Sequence, residues 1–194
     1  CSHFFSINCK KWLNGCDKCE LIKEYPKSFI DKSNRNYKLK DYYFNLPDNI
    51  FHVAVSDWVG NFLKESFIKN KDIVTIPNGV DINTFRPISN RSLESIPDDK
   101  FVIMGVASQW RSGKGFKHYM ELSKRLKQDE IILMVGLNQK EMGILPDNII
   151  GLPLITSQEQ LSRLYNRANV VLSLSSAETF GMTIIESLAC GTPV

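Results

Sequence analysis

Two carboxylates, Glu178 and Glu186, stand eight residues apart in the stretch Ser175 to Val194, SSAETFGMTIIESLACGTPV. An apolar strand over Val170 to Leu174 feeds a small polar loop, the loop enters a short helix over Met182 to Cys190, and Gly191 and Pro193 stop it. A helix N-terminus presents unpaired backbone N–H groups and a partial positive charge, so a glycine-containing loop entering one suits a phosphate. On a helical wheel Ile184, Ile185, Leu188 and Ala189 gather on one side and Thr183, Glu186 and Cys190 on the other. From that less apolar face Glu186 can accept hydrogen bonds from the vicinal hydroxyls of a ribose. It can also close a capping box with Thr183, because Thr-x-x-Glu ahead of an apolar run is that signature, and the two roles are compatible. A glycosidase reading, with acid and nucleophile facing across a bond, is the competitor; a loop Glu178 and a helical Glu186 fit nucleotide binding better.

A second constellation lies in the loop Ser108 to Gly115, between an apolar strand over Phe101 to Ala107 and a helix over Phe116 to Lys127. Arg111 and Lys114 there place cations where a diphosphate can be met, with Gly113 and Gly115 allowing close backbone approach. The loop is not a Walker A motif: Gly115 stands where Ser or Thr must hold magnesium, and the upstream glycine is missing. GxGxxG is also absent.

The third is Cys1, Cys9, Cys16 and Cys19, four of the five cysteines, all within residues 1–28. Cys16-Asp17-Lys18-Cys19 is a CxxC, and with Cys1 and Cys9 it supplies enough thiolates for a tetrahedral structural zinc site, with His3 as a substitute ligand. Disulfides or unligated thiols are the alternative; redox chemistry is disfavoured because no apolar strand precedes Cys16. His52 and His118 read as packing or surface residues rather than acid–base groups.

The terminal stretch resembles the nucleotide-sugar signature of retaining GT-B glycosyltransferases of the family 4 type (glycosyl transferases group 1). That pattern is Glu, then Phe-Gly, four residues, Glu, and afterwards Ala-x-Gly-x-Pro-Val; Glu178, Phe180, Gly181, Glu186, Ala189, Gly191, Pro193 and Val194 occupy it. Ile76-Pro77-Asn78-Gly79-Val80-Asp81, followed by Phe85-Arg86-Pro87, resembles the family's crossing between its two domains. The resemblance implies that Glu178 and the loop amides of Thr179, Phe180 and Gly181 meet the transferred sugar, and that Glu186 holds the ribose. It further implies donor contacts at Met182, Thr183 and Gly115, and cations that neutralise the departing diphosphate. Lys114 matches the family's lysine; the arginine's place falls near Ser108 or Gln109, so Arg111 is the substitute cation. The cysteine segment, with Tyr25-Pro26-Lys27-Ser28, resembles an insertion of a bacterial subgroup, which implies a scaffold near the acceptor side. No cofactor is required for transfer in this family, and the zinc expectation is structural only.

The implied activity is transfer of a sugar, with retention, from a nucleoside-diphosphate sugar to a saccharide or lipid-linked saccharide acceptor, as in bacterial surface polysaccharide synthesis. A GT-B phosphorylase, a nucleotide-sugar epimerase, or a catalytically silent zinc-stabilised binding module are the rival readings.

Strands and helices alternate from Phe51 onward, which predicts an α/β fold: a doubly wound parallel, Rossmann-like sheet preceded by the end of another such domain. The expected division is residues 1–87 as part of an acceptor-side domain, a polar linker over 88–99, and 100–194 as the nucleotide-sugar domain. The chain starts at Cys1 and stops inside a motif, so it reads as part of a longer protein that is inactive by itself. With 24 basic and 21 acidic residues dispersed along the chain, nucleic acid is not the expected partner. No apolar run approaches the ~20 residues that cross a bilayer, and no signal peptide is visible. The expected location is the cytoplasm, with peripheral contact at the inner face of the plasma membrane; the basic stretch Lys32 to Lys40 reads as a solvated face or a lipid-headgroup patch.

Overall fold

The alternation of strand and helix is realised in a computed structural model that describes residues 9–13, 15–23, 27–47, 49–110, 113–176 and 178–194. Two units emerge, Cys1–Asn78 and Gly79–Val194.

The first unit carries α1 (Ser33–Asn45), β1 (His52–Ala54), α2 (Asp57–Glu65) and β2 (Ile73–Thr75). β1 and β2 pair in parallel with His52 opposite Ile73, and α2 forms the crossover. Ser56 starts α2 by accepting the Val59 N–H at 3.3 Å, satisfying one orphan donor of the first turn. Gly60 lets α2 lie close on the strands: a Cβ there would sit 3.1 Å from Thr75 Oγ1. Phe62 on α2 and Phe67 just beyond it pack toward Trp12 and Tyr37, while Trp58 stays exposed. Arg35 and Lys38 of the basic stretch are exposed on α1.

The second unit is built as β3 (Phe101–Val106), α3 (Phe116–Ser123), β4 (Glu130–Val135), α4 (Gln139–Met142), β5 (Ile149–Leu152), α5 (Gln158–Arg167), β6 (Val170–Val171) and α6 (Met182–Ala189). Its four strands run parallel in the order β5-β4-β3-β6. Side chains alternate between the two faces of the sheet. Val102, Met104, Ile131, Leu133 and Val171 pack with Phe85, Leu164 and Tyr165, whereas Ile103, Ile132, Met134 and Ile149 pack with Trp110 and Tyr119. Both faces are covered, which is why β3 and β4 read as unbroken apolar runs.

Three expectations change. The polar stretch 88–99 is not a free linker but is packed on the second unit: Ile96 is buried, and α5 holds the backbone around it. Asn166, fully buried, accepts the Ile88 N–H and donates to the Arg86 carbonyl, while Arg167 donates to the carbonyls of Pro97 and Lys100. The strand expected over Val170 to Leu174 keeps ladder pairing only through Val171. Finally, α6 buries Ser187 and Cys190 and leaves Leu188 more than half exposed, reversing the wheel's assignment of faces. The polar groups go inward because they find partners: Ser187 donates to the Thr192 carbonyl, and Cys190 meets Ser162.

Candidate nucleotide-sugar site

In this sheet β4 and β5 follow β3 to one side, and β6 returns to the other side of β3. The order reverses between β3 and β6, and in open parallel α/β sheets the crevice beyond the strand ends at such a reversal is where ligands bind. The loops leaving those strands, 107–115 and 172–181, are the two whose residue types suggested chemistry.

Local sequence brings the loops together. Gly105, inside β3, leaves room for the Tyr119 ring, since a Cβ there would lie 2.5 Å from the phenol. Tyr119 thereby reaches past the sheet and donates its hydroxyl to the Leu172 carbonyl at 2.5 Å; burial pushes that phenol far above its ordinary pKa, so it stays a donor. Trp110 donates its indole N–H to the Val135 carbonyl at 3.0 Å and packs edge-on against Tyr119. Gly115 starts α3 at φ 81° and sits against the other loop, where a Cβ would lie 2.6 Å from the Leu174 carbonyl oxygen. The Ser176 N–H donates to the Gly113 carbonyl at 2.9 Å.

On this frame Lys114 and Glu178 meet, Nζ to Oε1 at 2.5 Å, with about a third of each side chain exposed. The expected cation and the expected sugar-facing carboxylate thus come from different loops and form one pair. Next to it Gly181, at φ 87°, starts α6 with no side chain capping the helix. The Ile184 N–H turns back to the Gly181 carbonyl; among the described residues the amides of Met182 and Thr183 meet no acceptor. Thr179 and Met182 are exposed and Phe180 is half-buried. A helix start of this kind attracts an anion.

Glu186 stands apart from the pair. Its Oε2 accepts the Tyr165 hydroxyl at 2.9 Å across the α5–α6 contact. Burial raises its carboxyl above the ordinary range, and the Tyr165 hydrogen bond opposes that rise. The capping box with Thr183 is not formed: Gly181 is the cap, so Thr183 and Glu186 lie too far into the helix for the reciprocal geometry.

A cleft of about 330 Å³ opens beside the loop junction, lined by Trp110, Gly113, Phe116, Lys117, His118 and Ser176, among others. Gly115 lines it, but Lys114, Glu178 and Glu186 do not. Neither the Lys114–Glu178 pair nor the α6 start lines that cleft. Arg111 falls outside the described residues.

The zinc expectation falls partly outside the described residues. Cys1, His3, Tyr25 and Pro26 lie outside the described residues; Cys9, Cys16 and Cys19 are free thiols. Among the described residues no three His, Cys, Asp or Glu side chains come together to hold a metal ion. Cys16 sinks beside Trp12 into an apolar cluster, and burial raises its thiol pKa. Asp31 accepts the Cys19 N–H at 2.7 Å, so a side-chain carboxylate organises this turn.

Tyr165 is the residue at the site that sequence reasoning missed. It reads as core because it shares an apolar face with Leu161, Leu164 and Ala168, and nothing local marks its hydroxyl as functional.

Comparison with known proteins agrees with this architecture. The family model for glycosyl transferases group 1 matches residues 88–194. The chain is 26% identical over 174 residues to an alpha-galactosylglucosyldiacylglycerol synthase of Streptococcus pneumoniae, covering 80% of this chain and 46% of that protein. It is 30% identical over 142 residues to D-inositol 3-phosphate glycosyltransferase 1 of Catenulispora acidiphila, covering 62% and 34%. It therefore spans less than half the length of these relatives. Sucrose-phosphate synthase from Thermosynechococcus elongatus superposes with TM-score 0.70 at 22% identity, covering 86% of this chain and 45% of that one. Anabaena HepE, solved in complex with UDP-glucose, superposes with TM-score 0.55 at 20% identity, covering 73% and 43%. These likenesses establish a GT-B-type α/β fold with parallel sheets. Since the matched residues make up more than half of the chain, it belongs to the glycosyl transferases group 1 family.

Proposed function

We propose that the protein transfers a sugar, with retention, from a nucleoside-diphosphate sugar to a hydroxyl of a saccharide or lipid-linked acceptor. The observation that carries this reading is the Lys114–Glu178 pair joining the two loops at the sheet's reversal, beside the uncapped start of α6. Lys114 and the Met182 and Thr183 amides stabilise the diphosphate as its negative charge grows at bond cleavage. Glu178, with the backbone of Thr179 to Gly181, orients the sugar. Glu186 accepts hydrogen bonds from the ribose and so contributes orientation rather than bond making. Residues up to Pro87 belong in this reading to the acceptor-side domain, and 100–194 to the donor domain. The named relatives include a glycolipid synthase and an inositol-phosphate glycosyltransferase, so they support sugar transfer and differ in acceptor. Bacterial surface glycan synthesis at the cytoplasmic membrane face is the setting this reading favours; no helix among the described residues is long and apolar enough to cross a membrane.

The full-length protein screened against UDP-, GDP- and ADP-sugars by thermal shift should reveal its donor, because a ligand of the folded state raises apparent stability. Replacing Lys114 by Ala should then weaken donor binding about tenfold or more, the worth of a charge-assisted hydrogen bond. Unchanged affinity would overturn the assignment. The anomeric configuration of the product, read by NMR, tests retention.

A further inference from the structure

We propose that Tyr165 is a positioning residue for nucleotide recognition: by donating its hydroxyl to Glu186 Oε2, it fixes the carboxylate so that Oε1 faces the ribose. This rests on Glu186 as the ribose acceptor and adds a residue outside that reading.

Tyr165 is fully buried on α5, with its ring edge-on to Phe85 at 6.1 Å between centroids. A ring so enclosed has one orientation, and its hydroxyl therefore has one address. Burial, reinforced by the Glu186 charge, keeps the phenol protonated at any working pH, so it donates at all times. On the other side, Glu186 is half-buried, and among the described residues its carboxylate takes no hydrogen bond besides that of Tyr165. The oxygen left over still has two acceptor sites, enough for two neighbouring hydroxyls. A carboxylate otherwise turns about its last torsion, and holding it before the ligand arrives removes an ordering cost from binding.

The test uses the full-length protein and two probes: uridine diphosphate and its 2′,3′-dideoxy analogue, or the guanosine or adenosine pair if the donor screen selects that base. Calorimetric affinities are measured for wild type, Tyr165→Phe and Glu186→Gln. In wild type the dideoxy analogue should bind about tenfold more weakly, and Tyr165→Phe should erase most of that ratio by weakening the ribose form alone. A packing defect would weaken both probes equally, which separates positioning from structure; an unchanged melting temperature confirms the fold. The acid limb of binding should also move to higher pH in Tyr165→Phe, because the lost donor had held the Glu186 carboxyl down. Cys190, the other titratable group beside Glu186, is held neutral by burial and does not contribute that limb. No wild-type discrimination between the probes would overturn the ribose reading and this inference with it. Discrimination kept intact in Tyr165→Phe would overturn the inference alone and leave the ribose reading standing.

Discussion

On the proposed reading of Glu186, folding and recognition conflict in a single side chain. Burial raises its carboxyl, so ionising it opposes folding. The sign follows from linkage. A group whose folded pKa lies above its unfolded value contributes stability below the unfolded value, and that contribution is lost as pH rises through the folded pKa. Glu186→Gln removes the penalty while its amide oxygen can still accept the Tyr165 hydroxyl. The variant should therefore melt at or above the wild-type temperature near neutral pH, with the gap closing toward about pH 4, even as nucleotide affinity falls. Melting curves across that range check it; a variant less stable at neutral pH would show that the carboxylate holds α5 and α6 together. Glu178 and Lys114 drew notice in the sequence because charged residues in glycine-containing loops at the ends of apolar runs have few structural reasons to be there, and Glu186 because it stands on the less apolar side of a short helix. Tyr165 was not legible, since its partner lies 21 residues away and its neighbours are apolar.

The loops of the site are joined by backbone contacts as well as by the Lys114–Glu178 pair. Gly115→Ala combines a left-handed φ with a Cβ 2.6 Å from the Leu174 carbonyl oxygen, and nothing flexible is there to give way. A loss of about 1–3 kcal/mol in stability is expected from the backbone conformation alone, with donor affinity falling as the loops separate. Chemical denaturation and donor titration read the two effects. A neutral substitution would mean the loops do not need this contact. Most elements could be read from apolar periodicity, and their ends differ for identifiable reasons. Ser157 caps α5 because its hydroxyl reaches the Gln160 N–H. The inward face of α6 was misjudged because a wheel scores apolarity, whereas Ser187 and Cys190 are buried through hydrogen bonds to specific partners. The stretch 88–99 looked like a linker since its anchors, Asn166 and Arg167, lie in another element.

Parallel strands whose order reverses beside β3 give the donor unit its crevice, and that feature follows from topology rather than from any one motif. The chain covers 46% of the glycolipid synthase and 34% of the inositol-phosphate enzyme it resembles. The 194-residue chain by itself is expected to show no sugar transfer in a radiolabelled-donor assay under conditions where the full-length protein turns over; measurable turnover would move the whole acceptor machinery into these residues. The pairing of Lys114 with Glu178 has a kinetic side. Opposite charges 2.5 Å apart largely cancel at a distance, so an approaching anionic donor meets little long-range pull from this lysine. In the proposed function the cation acts on the diphosphate only after close approach has separated the pair. Capture should then depend weakly on ionic strength, and differences in affinity among donors should lie in how slowly each one leaves.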